Sequence, residues 1–318
     1  MNGIDLLMAV VLDTTMGDPR WLPHPVRGMG ALIAWCDEHV RCICRSPWSL
    51  LLAGVWLAVS IPTLAYCAGR FIIEQAYLAS GLLGHAASIG LAFTTLAGRD
   101  LLDHVQAVSH ELKSGNLSGA RQAVARIVGR DTEILPESEI VRATVETVAE
   151  SASDGVIAPL VYLTLGGAPL ALAYKAVNTL DSMVGHRDAR YEYLGWASAR
   201  FDDLANWIPA RLTAGTIAIA AGCTTRQWRR VIESWRICLR DGHQHPSPNS
   251  GRPEAALAGA LGVQLGGVNY YDGVPQERPH MGGDRRVLIP KDIDAALRIL
   301  MVSYGLSCLL ASAVLWLV

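Results

Sequence analysis

The sequence predicts an all-α, polytopic helical membrane protein with broken or re-entrant helices and two polar helical or loop regions. Three observations carry this. Of 318 residues, 51% are hydrophobic and 18% charged, against roughly 25% charged in soluble domains, and mean hydropathy is +0.27. The apolar residues cluster into Trp48 to Tyr66, Ile72 to Leu96 and Ala296 to Val318, lengths comparable with the roughly 20 residues that span hydrocarbon. Two more apolar runs, Val156 to Ala176 and Leu204 to Cys223, are bordered or interrupted by charged and amide side chains. The expectation is one integral-membrane domain over residues 1–318, with polar regions at 98–155 and 224–295.

Ile4 to Met16 is a short apolar helix. It carries Asp5 and Asp13 and lacks the basic region and cleavage site of a signal peptide. Pro19, Pro23 and Pro25 then fix a loop and exclude helix until about Val26. This stiff segment presents Asp18, Arg20, His24 and Arg27. It suits an interfacial anchor, with Trp21 at headgroup depth, as well as ligand binding. Arg41 and Arg45 before Trp48 favour the cytoplasm for that end. The chain crosses, turns near Gly69-Arg70 and returns by about Leu96.

The first polar region has helical periodicity broken at Ser114-Gly115-Asn116, a small helical hairpin. Pro136 begins another helix, with Glu137 and Glu139 at its positive end. Glu146 and Glu150 share a face, Arg142 lies one turn earlier, and Asp154 follows if the helix continues. Such a stripe is either a solvated face with an Arg–Glu pair or the edge of a site running into membrane.

The next apolar run is interrupted at Gly166-Gly167-Ala168-Pro169. It either spans once with a kink or forms two half-helices, 156–165 and 169–180. The re-entrant form places Asp154 and Asp181 at one surface. The run 204 to 223 is a poor simple span, with Asn206, Pro209 and Arg211 in its first half; Arg226, Arg229 and Arg230 after it favour the cytoplasm. In the second polar region HPSPNSGRP (245–253) is a rigid loop of hydroxyl, amide and imidazole groups. Pro253-Glu254 then opens a small-residue helix whose first amides suit an anion. His243 and His245 lack a third metal ligand at usual spacing and read as loop histidines.

Net charge is −2, which gives no basic field for nucleic acid. Seven scattered cysteines read as free thiols in a reducing compartment. There is no Walker A loop, Rossmann fingerprint or GxSxG elbow. Chemistry instead gathers between Glu146 and Leu212, where Asp154, Lys175, Asn178, Asp181, Asp202, Asp203, Asn206 and Arg211 sit at apolar edges. Ionisable groups near hydrocarbon are costly and are usually kept for a task. Apolar surroundings also strengthen the polar contacts a phosphate or metal site uses.

Six stretches occur in order: DPRWLPHPVRGMG (18–30), VGRDT (128–132), ETVAES…DGVIAPL (146–160), GGAPLALAYKAVNTLDSMVG (166–185), DDLANWIPARL (202–212) and HPSPNSGRPEAALAGALGVQLGG (245–267). Together they resemble the CbiB/CobD family of adenosylcobinamide-phosphate synthases over nearly the whole chain. The resemblance implies a multi-pass inner-membrane enzyme of cobalamin biosynthesis. It would be an acid–amine ligase, driven by ATP and Mg²⁺, joining adenosylcobyric acid to aminopropanol or its phosphate. Ethanolamine phosphate is the other amine considered. The corrinoid is substrate and calls for an open groove on the cytoplasmic side. Membrane lipid surrounds the protein, and the resemblance also admits a complex with other membrane enzymes of cobamide synthesis.

Amide formation of this kind needs Mg²⁺ held by carboxylates and cationic or amide donors around phosphate. On the strength of the resemblance, Glu150, Asp154 and Asp181 are expected to hold the metal. Asp202 or Asp203 would be a further ligand or the base for the ammonium. Lys175, Arg130 and Arg211 would neutralise phosphate, and Asn178, Asn206, Ser247 and Asn249 would orient substrate. His24 and Arg27 would bind the amino-alcohol phosphate or a corrin amide. Two departures stand out: Ser151 replaces an asparagine of the family's pattern, losing one arm of the amide, and His186 replaces a tyrosine. The rival readings are a corrinoid transporter or binding partner and an AmpE-type regulatory membrane protein. Retention of NTLDSM, FDDLAN and HPSPN, with no evident inverted repeat, favours the enzyme.

Overall fold

The computed structural model describes residues 1–19, 21, 23–186, 188–284 and 286–317. Arg20 of the stiff loop and Val318 at the end of the last apolar run lie outside the described residues.

Helix α1 (Gly3–Met16) is capped by Asn2, whose side chain accepts the Asp5 N–H at 2.8 Å. Helix α2 (Pro25–Ile43) starts on Pro25, where a missing N–H costs nothing. Helix α3 (Pro47–Ala79) is continuous over 33 residues. The turn expected at Gly69-Arg70 is therefore corrected: the chain turns at Ser80. Ser80 is extended (φ −167°, ψ 153°), and its hydroxyl accepts the Leu83 N–H to start α4 (Gly81–Phe93). Gly69 stays helical and is buried in α3, where an added Cβ would crowd Leu172 and the Pro169 backbone. A glycine costs about 1 kcal/mol inside a helix; here it permits close packing.

The expected helical hairpin is present as α5 (Gly98–Lys113) and α6 (Leu117–Val124), with Asn116 capping the second helix. Helix α7 (Glu137–Ser151) follows Pro136 and runs into a π-helical segment, Ala152–Ile157. Helix α8 (Ala158–Val184) is broken where expected. Gly166 (φ −150°, ψ 18°) and Gly167 (φ 67°, ψ −166°) leave helical geometry, and the positive φ favours glycine. Then come α9 (Trp196–Ala205), α10 (Trp207–Thr225), α11 (Trp228–Asp241) and α12 (Gly251–Leu261). Strands β1 (Gln264–Tyr271) and β2 (Val274–Gly282) precede the final helix α13 (Lys291–Leu317).

Among the described residues four helical stretches are long and apolar enough to cross a membrane: Pro47–Ala79, Gly81–Lys113, Glu137–Val184 and Lys291–Leu317. The protein is an all-α polytopic membrane protein, with one antiparallel hairpin among the described residues. The seven cysteines are free.

The hairpin was not anticipated. Its register runs from Gln264 opposite Gly282 to Tyr271 opposite Val274. Asp272 and Gly273 form the two-residue turn, both with positive φ (51° and 75°), as tight hairpin turns require. The ladder is irregular between Leu265 and Gly267. Gly266 there has φ 84°, and a Cβ would strike the Pro279 carbonyl, so the Gly-Gly pair is a backbone requirement.

The chain divides into two compact units. The first comprises Met1–Ala97, Ala158–Asn206 and Cys308–Val318; the second comprises Gly98–Ile157 and Trp207–Ser307. The first packs around Ile33, Leu57, Ile61, Leu172, Leu180 and Leu194. The second packs around Val105, Ile140, Val148, Ile217, Leu257 and Ile293.

Candidate functional site

In the first unit, α8 and α9 assemble a polar cluster beneath two tyrosines. Tyr162 and Tyr174 stack with centroids 4.8 Å apart and planes 13° apart, an arrangement that buries aromatic area while leaving both hydroxyls usable. Tyr162 donates to the Ala205 carbonyl at 2.9 Å, and Tyr174 donates to the side-chain oxygen of buried Asn206 at 2.9 Å. Asn206 in turn donates to Asp202 Oδ2 at 3.0 Å, and Asn178 donates to Asp202 Oδ1 at 3.4 Å. Each oxygen of Asp202 therefore receives a neutral amide, which fixes the carboxylate plane. Lys175, Asn178 and Asp181 follow at three-residue spacing along α8, all half-buried. Asp203, on α9, lies 4.0 Å from Arg200.

Elsewhere in this unit, His24 and Arg27 lie 3.7 and 3.3 Å from Asp18. Arg27 is exposed, and it also reaches the Pro19 carbonyl at 3.4 Å.

In the second unit the structure builds a polar cavity of about 190 Å³. Arg130, Glu146, Glu150, His245, Glu254 and Arg278 line it, with Asn269 and Tyr271. The VGRDT stretch contributes twice. Arg130 donates to Glu146 at 2.9 Å and to Asn269. Asp131 accepts the Asp272 and Gly273 N–H groups at 3.1 and 2.8 Å, and its own N–H donates to the Tyr270 carbonyl at 2.8 Å. The loop thus latches the hairpin turn.

Arg142 bonds Glu139, Glu146 at 3.0 Å and Asn269 at 2.9 Å. Glu146 also accepts the Gly266 N–H at 2.9 Å. The bulge glycine and the α7 carboxylate therefore hold each other. The Arg–Glu pair foreseen on this stripe is real, but it is buried and structural, where a lone charge would cost several kcal/mol.

Around the rest of the cavity the pairing is sparser. Glu150 accepts the Ser250 hydroxyl at 3.3 Å. Ser247 accepts the N–H groups of Asn249 and Ser250 at 3.3 and 3.2 Å, while its own N–H donates to His245 Nδ1 at 3.0 Å. His245 Nε2 is 3.9 Å from Glu254 and 3.4 Å from Arg278. Burial first, then the charges of Glu146 and Glu150, push the Glu254 carboxyl well above its ordinary value, with Arg278 and Arg130 acting against them. Burial, with the Arg278 charge next, pushes His245 below the ordinary imidazole value.

The residues expected from the sequence are thus distributed. Asn178, Asp202 and Asn206 meet in the first unit, on helices that also carry Lys175, Asp181 and Asp203. Arg130 and Glu150 line the cavity of the second. Ser247 and buried Asn249 belong to the loop before α12. Asp154 lies half-buried in the π segment, a rare helical form that occurs frequently at functional sites. Arg211 donates to the Trp207 carbonyl at 2.6 Å and stacks 4.0 Å over the Trp207 ring. Glu150 and Asp154 fall in one unit and Asp181 in the other. Among the described residues no three His, Cys, Asp or Glu groups are arranged to hold a metal ion.

Sequence reasoning missed Glu254, Asn269, Tyr271 and Arg278, and set His245 aside as a loop residue. One clue was available. Helix α12 is built of small residues and is buried almost all round, so the acid in its first turn had no route to solvent.

Over residues 6–300 the chain matches the family described as CobD/Cbib protein. The chain belongs to the CobD/CbiB family. Among its relatives is the Cobalamin biosynthesis protein CobD of Geobacter metallireducens, 49% identical over 308 residues, 97% of this chain and 94% of the relative. The CobD of Yersinia enterocolitica is 44% identical over 303 residues, covering 95% and 94%. The Cobalamin biosynthesis protein CbiB of Salmonella typhimurium is 43% identical over 309 residues, covering 96% and 95%. No solved structure matches this CobD/CbiB chain.

Proposed function

We propose that this CobD/CbiB-family protein acts in cobalamin biosynthesis as an inner-membrane acid–amine ligase. It forms the amide between a propionate carboxylate of adenosylcobyric acid and aminopropanol or its phosphate. The observation that carries this reading is the family match across residues 6–300. The polar cluster on α8 and α9 supports it with side chains suited to the chemistry.

An amide from a carboxylate requires activation, then attack by a neutral amine. Magnesium-bound ATP, when present, would supply the phosphoryl group that activates the acid. A three-carboxylate cage is not needed for that ion. Mg²⁺ is usually bound by one or two carboxylates together with phosphate oxygens and waters, and the carboxylates we assign to it are Asp181 on α8 with Asp202 or Asp203 on α9. Of the other two carboxylates the resemblance offers for the metal, Asp154 lies in the π segment of the second unit, while Glu150 lines a cavity beside two arginines, which disfavours a metal there.

Asn178 and Asn206 act through Asp202, holding its plane so that one orientation faces the reactants. Lys175, Arg130 and Arg211 are the cations assigned to phosphate. Arginines after Ile43 and after Thr225 (Arg45, Arg226, Arg229 and Arg230) support a cytoplasmic site.

The test uses purified protein in lipid with adenosylcobyric acid, ATP, Mg²⁺ and either aminopropanol phosphate or ethanolamine phosphate, read by mass spectrometry. A product carrying the phosphoamino alcohol is expected. Folded protein that binds the corrinoid yet forms no product with either amine would overturn the ligase reading in favour of a binding role.

A further inference from the structure

We propose that the polar cavity of the second unit binds a short-chain aminoalkyl phosphate, with its ammonium against Glu254 and Glu150 and its phosphate against Arg278 and Arg130. This rests on the reading above that the protein consumes such an amine. It adds the place and the side chains, which no comparison supplies.

Size comes first. A space of about 190 Å³ suits a small polar molecule, or one polar end of a larger one.

Charge comes second. The lining carries both signs, two guanidinium groups and three carboxylates. Glu146 is already satisfied by Arg130, Arg142 and the Gly266 N–H. Glu254, only 7% exposed, has the His245 imidazole at 3.9 Å, and Arg278 and Arg130 act on it without an ion pair among the described residues. Its neighbour Glu150 has a serine hydroxyl. Two carboxylates crowded in this way call for a cation that the protein does not itself place between them.

The complementary deficit is on the arginines. Arg130 is 8% exposed, and its buried Nε–H has no hydrogen-bond partner. Among the described residues Arg278 makes one long hydrogen-bond contact, to His245 at 3.4 Å, and acts on Glu150 and Glu254 through space. A guanidinium in such surroundings favours a phosphate, which can take two parallel N–H bonds.

Rival occupants fit less well. A bare divalent cation would need converging ligands, and among the described residues no such group of three exists; the two arginines would also repel it. A bare phosphate would face three carboxylates. An uncharged alcohol would leave both deficits in place. Only a ligand with a cation and an anion a few bonds apart answers both. The cavity is also pre-formed: Asp131 holds the hairpin turn and Gly266 is tied to α7, which lowers the ordering cost of binding.

The experiment is calorimetry on the full chain in lipid nanodiscs, without ATP or corrinoid. The probes are aminopropanol phosphate, ethanolamine phosphate, aminopropanol, propyl phosphate and inorganic phosphate. Wild-type protein should bind the two zwitterions at least tenfold more tightly than the other three. Glu254→Gln should weaken the zwitterions at least tenfold without weakening propyl phosphate, and Arg278→Gln should weaken every phosphate. Glu150→Gln repeats the first comparison at an exposed position of α7 should Glu254→Gln fold poorly. Equal binding of zwitterions by wild type and by all these variants overturns the proposal, as does no binding by wild type. Turnover separates the two readings. Product formation by variants that bind normally keeps the ligase and removes this site. Zwitterion binding that depends on Glu254, with no turnover, keeps the site and removes the ligase.

Discussion

Asn206 donates its amide to Asp202 at 3.0 Å while its side-chain carbonyl accepts the Tyr174 hydroxyl at 2.9 Å. A single buried side chain thus joins an aromatic stack on α8 to a carboxylate on α9. Replacing Asn206 by Ala removes both bonds, at about 1 kcal/mol each. The expected result is a melting temperature lower by several degrees and turnover reduced more than tenfold. Asp202→Asn turns an NH2 toward one of its two amide donors, so it should cost about one of those bonds, less than Asn206→Ala does, and still lose turnover. Equal losses of stability in both variants would make Asp202 structural only.

Asp181→Asn is the sharper test of the metal assignment. Its position near the end of α8 is half-buried, and the amide is nearly isosteric, so insertion should be normal. Turnover should fall more than a hundredfold and recover in part at high Mg²⁺, as expected when one ligand is weakened. Unchanged turnover in normally inserted protein removes Asp181 from the site.

Asp131 latches the hairpin through two charge-assisted bonds. Asp131→Ala should destabilise the β1–β2 ribbon by about 1–3 kcal/mol. Amide hydrogen exchange should quicken across residues 264–282 while α3 and α8 keep their protection. Uniform acceleration across the chain would mean that the latch stabilises the whole molecule and not the ribbon.

Glu254 gives a pH dependence whose sign follows from its raised value. The folded state binds the proton more tightly than the unfolded chain, so this group's stabilisation is full below the ordinary carboxyl range. It is lost as pH rises from that range through the raised value. His245 works oppositely: its lowered value costs stability as pH falls below the ordinary imidazole range. The groups facing Glu254 are Glu146 and Glu150 from α7, Arg130 from the preceding loop, Arg278 from β2 and His245. Glu254→Gln, neutral at every pH, should flatten the loss on the alkaline side when melting temperature is followed against pH. An ammonium bound beside Glu254 would lower its pKa, so ligand binding should release protons at pH values between the bound and the raised unbound value. Calorimetry in buffers of different ionisation enthalpy reads that release directly.

The helical architecture was largely legible because hydrocarbon length, proline placement and the Gly166-Gly167 break act locally along the chain. The turn near Gly69-Arg70 was misplaced because a glycine in sequence does not reveal whether it ends a helix or admits a neighbour. The hairpin escaped because Pro275 and Pro279 interrupt β2 and the Gly-Gly pair interrupts β1, which spoils the alternation of apolar residues. Asp272-Gly273 was nonetheless a readable turn. In the site, the motif residues on α8 and α9 were found because they lie close in sequence. Glu254 and Arg278 were not, because what makes them notable is their nearness to Arg130 and Glu146, more than a hundred positions away.

That separation has a consequence for how the protein is made. Asp131 and Gly273 are 142 residues apart, and the second unit is interrupted by the whole of 158–206. At ~5–20 residues per second on the ribosome, Arg130, Arg142 and Glu146 wait several seconds for Asn269 and Gly266 to emerge. Until then an unfinished chain carries their charges without the native partners of β1. The ribbon is the late-arriving piece that neutralises them, so in pulse-labelled chains residues 128–150 should gain protease resistance no earlier than Gly282 leaves the ribosome.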